Sequence, residues 1–223
     1  AGYPGCPHGS NSHQAEAAAV SGALAGMDIP VATSPDSARA ALEGAGIAYV
    51  PLSTLCAPAL GALRLREVLG LRSPLNTALR LFSPGRAEAS VQGVFHPPYR
   101  ELQADAGALL GQVSQTVIKG GGGEFERGPA KEIALFGLRG GEAMSLSAPA
   151  LLPEATGRLA EGPQTDDPDA LAGLWDGRIS DAFAEAVVTG TAALALFTLG
   201  AAESPEAAQG LAESLWTARM TLR

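Results

Sequence analysis

Apolar and polar positions along this chain fall into short blocks whose spacing switches between that of helices and that of strands. A polar loop, Gly5 to His13, leads into an alanine-rich run from about Gln14 to Ala25 that reads as a helix, with Ser12 or Asn11 as its cap. Ser34-Pro35-Asp36 gives an N-cap, a first-turn proline and a first-turn acid, so a helix opens there and closes at Gly44–Gly46. Ile47–Leu52 is a short apolar strand. Ala57-Pro58 opens a helix through Leu69, with Leu60, Leu63 and Leu69 near one face and Gly70 as its stop. A loop from Leu71 to Thr77 precedes a brief helical turn ending at Ser83-Pro84. Ser90–Phe95 alternates as a strand does, and His96-Pro97-Pro98-Tyr99 starts a helix to about Leu110. Val113–Ile118 reads as a buried strand. Glu132–Phe136 and Ala143–Leu146 read as an antiparallel pair around Arg139-Gly140-Gly141. The acidic, Pro- and Gly-rich segment Pro149–Pro168 reads as a surface excursion. Two helices finish the chain, Asp181–Leu199 and Pro205–Met220, the second capped by Ser204. Strands alternating with helices predict one α/β domain over residues 1–223, with a mostly parallel central sheet and helices on both faces.

The stretch Ile118 to Lys131 stands out from this pattern. Four glycines, Gly120 to Gly123, follow a strand, and Glu124, Glu126, Arg127 and Lys131 come directly after. Consecutive glycines give a backbone access to positive φ and to close approach. A strand that runs into such a loop in an α/β protein delivers it to the carboxyl edge of the sheet, where ligands bind.

Charge sharpens the picture. The chain carries a net −8, which as a whole does not advertise a polyanion or a membrane. Between Arg64 and Arg139, however, there are ten Lys/Arg and seven Asp/Glu, a net +3, against −11 for the remainder. The middle of the chain is therefore locally basic. Cys6 and Cys56 form neither a disulfide framework nor a CxxC motif, so reduced thiols and a cytoplasmic location are expected. Cys6, His8 and His13 lack a fourth metal ligand. The apolar run Val187–Leu199 is interrupted by Thr189, Gly190 and Thr191 and is too short for a membrane span, so a core helix is expected. The opening Ala-Gly-Tyr-Pro, with no Met and a loop almost at once, leads to the expectation that the chain begins inside a larger fold.

Several loops together resemble a known family. His8-Gly9-Ser10-Asn11 is similar to a His-Gly-Asn-Arg loop, Arg66 to Asn76 to an Arg-x-x-Leu-Gly-x-Arg-Thr-x-x-Asn stretch, and Gly93-Val94-Phe95-His96-Pro97 to Gly-Val-Tyr-Asp-Pro. Lys119–Phe125 falls on a His-Gly loop that ends in an Asp-Glu pair, and the last two helices resemble a closing pair. These are features of the large domain of anthranilate phosphoribosyltransferase and the glycosyltransferase family 3 fold. The resemblance implies a class III-like phosphoribosyltransferase large domain, truncated at its N-terminus and lacking the small helical domain that makes the family dimer. A homodimer is accordingly the expectation for a full-length parent.

The departures from the family pattern bear on activity. The Gly-Thr-Gly-Gly-Asp loop that holds pyrophosphate in the family lies upstream of this chain. The family's acid pair becomes Glu124-Phe125, which keeps one carboxylate, and an aromatic ring ligates no magnesium. The family's Gly-Pro after the Asn motif is Leu79-Arg80. These departures resemble the YbiB-type branch, which is similar to a nucleic-acid binder without the biosynthetic activity. Two readings follow. In the first, a phosphoribosyl- or glycosyl-transferase without anthranilate transfer uses His8, Arg66 and Asn76 on the acceptor side, with Glu124 and Glu126 holding Mg2+. In the second, Arg64, Arg66, Arg72, Arg80, Lys119, Arg127 and Lys131 line a groove for single-stranded nucleic acid. Taken together, the substrate- or polyanion-binding candidates are His8, Gly9, Ser10, Asn11, Arg66, Arg72, Asn76, Arg80, Lys119, Gly120, Gly121, Arg127 and Lys131. A phosphoribosyl pyrophosphate-like ligand or a nucleic acid is the expected partner, and a membrane is not.

Overall fold

The computed structural model describes residues 2–9, 24, 26–71, 73–121, 124–155 and 168–221. In chain order its elements are β1 (His8–Gly9), α1 (Pro35–Ala45), β2 (Val50–Pro51), α2 (Leu52–Leu55), α3 (Ala57–Arg64), α4 (Arg66–Leu69), α5 (Leu75–Ala78), β3 (Ala89–Val94), α6 (Tyr99–Leu109) and β4 (Ser114–Lys119). They continue with β5 (Ile133–Arg139), β6 (Glu142–Ala148), α7 (Pro168–Trp175), α8 (Ala182–Leu199) and α9 (Pro205–Ala218). The helix expected over Gln14–Ala25 lies outside the described residues, apart from Leu24. The packing divides the chain into two compact units: Ala1–Gly85 with Thr165–Ile179, and Arg86–Gln164 with Ser180–Arg223.

In the first unit β1 and β2 pair in parallel, His8 with Val50 and Gly9 with Pro51. Parallel bridges from Gly5 to Ile47 and from Val31 to Tyr49 extend this small sheet. Ala32, Ala48, Tyr49, Val50, Leu52, Leu63 and Leu174 are the buried apolar residues of this unit among those described. Helix α1 has the ends expected of it. The Ser34 hydroxyl accepts from the Ser37 N–H, the Ser37 hydroxyl accepts from the Ser34 N–H, and Gly46 closes the helix at φ +72°. The helix expected from Ala57 to Leu69 is broken at Leu65 into α3 and α4. Only Leu63 of its expected apolar face is buried; Val68, Leu69 and Leu71 are exposed. The break rotates the last turn away from the packed face, so an apolar period that reads as one helix covers two.

The second unit is built on a four-stranded sheet of order β3-β4-β5-β6. Strands β3 and β4 are parallel over six residues, whereas β4–β5 and β5–β6 are antiparallel. The α/β class holds, but this sheet is mixed. A parallel pair needs a crossover, which α6 supplies, and an antiparallel pair needs only the tight Gly140-Gly141 turn.

Neighbouring residues of a strand point to opposite faces, and β4 shows what covers each face. Gln115 donates through Nε2 to the Gln103 carbonyl of α6, while the Thr116 hydroxyl lies 2.7 Å from that of Thr198 on α8. Helices therefore cover both faces, as expected. On the α8 side Ile118, Leu135, Ala148 and Leu194 form a buried cluster against which Phe125, Ile133 and Met144 pack. Full burial of an aliphatic side chain such as these contributes roughly 1.5–3 kcal/mol.

Helix α8 passes the length and composition test for a membrane span. Here it is a packed helix, with Ala193, Leu194, Leu196 and Phe197 buried and α9 against its flank through Ala208 and Ala212. The Asp181 carboxylate caps its start by accepting from the Phe183 and Ala184 N–H groups. At the other end Arg139 donates to the carbonyls of Phe197 and Ala202 and lies 4.4 Å from the Phe197 ring centre. A cation there meets the negative end of the helix dipole.

Candidate functional site

The glycine loop leaves β4 at the same edge at which β3 ends, because Val94 is the register partner of Lys119. Both strands are parallel, so this is their carboxyl edge. Lys119 is exposed and Gly120 is buried, its N–H donating to the Val94 carbonyl at 3.0 Å. The chain then folds back on itself. The Glu124 carbonyl comes to rest against both Gly93 of β3 and Gly120 just beyond β4, so closely that a Cβ at either glycine would overlap it. Glycine at these two positions is required by that approach.

Glu124 and Glu126 follow the return and are exposed, while Phe125 between them is half-buried against the Ile118–Leu135–Leu194 cluster. Phe125 is thus the anchor of the loop, and its neighbours on either side are carboxylates. The Glu126 carboxyl is pushed above its ordinary value, first by desolvation and second by the charge of Glu124. Among the described residues no group of three or more His, Cys, Asp or Glu gathers as a metal cluster. Two carboxylates under mutual repulsion fit one Mg2+ that keeps waters and ligand phosphates in its remaining positions. They do not fit a clamp of two ions.

Exposed aromatic residues stand at the same edge. Phe95 and His96 follow β3, with ring centres 4.7 Å apart and planes at 88°, and Tyr99 opens α6 with its ring 6.0 Å from that of His96. Phe95 and Tyr99 are both exposed. The run His96-Pro97-Pro98-Tyr99 read as a helix start; that its rings share an edge with the glycine loop depends on the β3–β4 register, which the local sequence does not carry.

Arg127 corrects an expectation. The sequence places it in a basic groove, but it is only 1% exposed. Its Nη2 donates to the Pro149 carbonyl at 2.6 Å and its Nη1 to Gln209 Oε1 at 3.3 Å. A guanidinium enclosed in this way does not meet a phosphate on the surface. Lys131, by contrast, is exposed.

The remaining candidates lie in the first unit. His8 sits on β1 with its ring 6.4 Å from Phe82 at 87°, and Gly9 follows beneath the Tyr49 hydroxyl. Burial lowers the His8 imidazole below its ordinary 6.5, and a hydrogen bond with the Phe82 backbone offsets part of that. Arg66 is half-buried on α4, and Arg80 is half-buried in the 3-10 turn Leu79–Leu81; both have polar partners. Arg64 ends α3 exposed. The Asn76 side chain donates to the Ser73 carbonyl at 3.1 Å and so closes its own turn. Ser10, Asn11 and Arg72 lie outside the described residues.

The chain matches no family model. It is 29% identical over 185 residues to an anthranilate phosphoribosyltransferase of Geobacillus kaustophilus (strain HTA426), covering 80% of this chain and 53% of that protein. Another, from Geobacillus stearothermophilus, is 29% identical over 205 residues, covering 84% of this chain and 56% of its own length. An uncharacterised protein of Aquifex aeolicus (strain VF5) is 39% identical over 62 residues, covering 28% of this chain and 20% of its own. The chain thus spans about half the length of the anthranilate phosphoribosyltransferases from the two Geobacillus species. Among solved structures, anthranilate phosphoribosyltransferase (TrpD) from Thermus thermophilus superposes with a TM-score of 0.76 at 23% identity, covering 99% of this chain and 66% of that one. Similar in sequence to the two Geobacillus proteins over most of its length and sharing the fold of the Thermus thermophilus structure, the chain is anthranilate phosphoribosyltransferase-like.

Proposed function

We propose that this chain is the ligand-binding part of a phosphoribosyl- or glycosyl-transferase-like protein that takes a phosphorylated sugar at its glycine loop and does not transfer to anthranilate. One observation carries the reading. The loop folds back over Gly93 and Gly120 at the carboxyl edge of the parallel pair and presents Glu124 and Glu126 beside it. Chemistry at an anomeric carbon asks the protein for positioning and for neutralisation of a diphosphate leaving group rather than for a covalent nucleophile. When bound, a magnesium ion would supply part of that neutralisation. Glu124 and Glu126 are the residues that would hold it, Lys119 would meet a phosphate, and the exposed Gly121 would let the ligand approach the backbone, whereas Gly120 is covered by the Glu124 carbonyl. The loss of anthranilate transfer is inferred from Phe125, whose side chain belongs to the packed cluster where the resemblance expects an acid. Free thiols at Cys6 and Cys56 accord with a cytoplasmic setting.

Calorimetric titration of magnesium phosphoribosyl diphosphate into the protein tests this reading. Saturable binding that Glu124→Gln and Glu126→Gln both weaken is expected, together with no product from anthranilate. Binding equal in wild type and both variants removes the carboxylates from the site.

A second reading, a single-stranded nucleic-acid binder, is favoured by a specific observation. Exposed Phe95, His96 and Tyr99 share the edge of the sheet with exposed Lys119. Aromatic faces beside cations suit stacked bases and their phosphates. Anisotropy of a labelled oligonucleotide, with magnesium phosphoribosyl diphosphate as competitor, separates the two. Displacement supports the first reading. Tight, salt-sensitive binding that ignores the competitor supports the second.

A further inference from the structure

The most unusual group in the second unit is Arg127. Removing a cation from water costs several kcal/mol unless partners replace the solvent. None of the ion pairs among the described residues includes Arg127. Its partners are instead a carbonyl and a side-chain amide, from two different parts of the unit. Desolvation draws its pKa down, and the charge of Glu206 opposes this from a distance. Its Nε has no hydrogen-bond partner. For stability alone this is a poor use of a core position, since an apolar side chain of similar volume is often as good or better.

What the arrangement does is tie one loop residue to three elements. The Arg127 N–H donates to the Thr191 hydroxyl of α8 at 3.0 Å. Nη2 reaches the Pro149 carbonyl just beyond β6, and Nη1 reaches Gln209 of α9. The side chain passes over Gly190, where a Cβ would meet Arg127 Cδ at 2.9 Å, so α8 leaves room for it. Gln209 is itself held, donating to Glu213 at 2.9 Å and to Thr189 at 3.3 Å. Two residues on, the Pro129 carbonyl accepts from the Leu151 and Leu152 N–H groups at 2.8 and 2.9 Å. The carboxylates of Glu126 and Glu124 precede this clasp by one and three residues.

We infer that Arg127 is a positioning residue: it holds the return of the glycine loop in place and thereby sets where Glu124 and Glu126 stand. This rests on the reading that the loop is the ligand site. The carboxylates are both exposed, two residues apart on either side of Phe125. The packing of Phe125 fixes the residue between them, and the Arg127 clasp fixes the chain direction that follows.

The test is amide hydrogen exchange on the full chain, read at Gly120, Gly121 and Glu124 to Glu126, beside binding of magnesium phosphoribosyl diphosphate. Arg127→Met keeps the length of the stem and removes the fork. Exchange at these amides should quicken by at least about tenfold while amides of the buried segment Ala193–Thr198 hold, and binding should weaken by a similar factor, as small misplacements of positioned groups do. Thr191→Val, which removes only the hydroxyl that accepts from the Arg127 N–H, should quicken exchange at Glu126 in the same sense and serves alone if Arg127→Met does not fold. Unchanged loop exchange in the folded variants, or a rise shared equally with Ala193–Thr198, overturns the inference. If the wild-type protein does not bind the sugar diphosphate, the functional reading falls, and the exchange comparison still decides the role of Arg127.

Discussion

The carbonyl of Glu124 occupies the space that a Cβ on Gly93 would need. Two residues separated by thirty-one positions are thus in backbone contact at the edge of the sheet, and the side chain of a single alanine would part them. Glu124 backbone atoms cannot swing aside as the end of a flexible side chain can. Gly93→Ala should therefore cost about 1–3 kcal/mol by overpacking. It should also move the loop that carries the carboxylates, so ligand binding falls even where the protein remains folded. Chemical denaturation gives the first number and calorimetry the second. A variant with wild-type stability and binding would mean that the loop does not lie against β3.

Phe125 gives a second test, because it stands where the resemblance to transferases expects an acid. Phe125→Asp restores a carboxylate between Glu124 and Glu126 on paper. In this fold it removes the ring that packs on the Ile118–Leu135–Leu194 cluster and sets a charge against apolar surface. The expected outcome is a loss of about 3 kcal/mol in unfolding free energy, without tighter binding of magnesium. If magnesium stabilises the variant far more than the wild type, the side chain at 125 faces the ligand and its role as an anchor is wrong.

These residues also show which parts of the structure can be read from the chain and which cannot. Helix α1 is legible because its caps are local: Ser34, Pro35 and Gly46 act on backbone groups within one turn. The β3–α6–β4 unit is legible as well, since strand period and helix start lie in the sequence itself. Helix α6 shows the limit. It turns Gln103, Ala104 and Gly107 inward and leaves Leu102, Leu109 and Leu110 exposed. The close approach of the Gln115 side chain to Gly107 sets this choice, and no periodicity encodes it. Arg127 is invisible for the same reason. Its partners lie 22, 64 and 82 residues away, and nothing beside it in the sequence separates a core arginine from a surface one. The glycine run announces a site, but only the fold shows which glycines are pressed against backbone.

The pH response should carry the mark of His8. Its imidazole binds a proton more weakly in the folded protein than in the unfolded chain, chiefly through burial. Protonation then favours unfolding. The contribution of neutral His8 is complete above the ordinary 6.5 and is lost as the pH falls through 6.5 toward the lowered folded value. Glu126 runs the other way: its folded carboxyl holds a proton more tightly than its ordinary 4.5, so the cost of its charge is relieved as the pH falls through the raised folded value toward 4.5. Comparing wild type with His8→Gln isolates the first effect. Between about pH 7.5 and about pH 5 the wild type should lose more melting temperature than the variant does. Parallel curves would place His8 in water.

The choice between a sugar diphosphate and a nucleic acid comes down to the two exposed lysines of the loop. Lys119 stands at the end of β4 and Lys131 just before β5, and both side chains are exposed, unlike Arg127. A phosphate chain laid along this edge releases about 0.7 counterions for each charge it meets on a single strand. Lys119→Ala combined with Lys131→Ala should therefore flatten the salt dependence of oligonucleotide binding by about 1.4 in the log–log slope. The aromatic edge contributes differently. Replacing Tyr99 by Ala should weaken binding at every salt concentration, by roughly 1–3 kcal/mol if a base stacks there, and leave the slope as it was. Anisotropy titrations at several salt concentrations separate the two effects. A slope that survives loss of both lysines would move the nucleic acid off this edge of the sheet and leave the glycine loop to the sugar diphosphate.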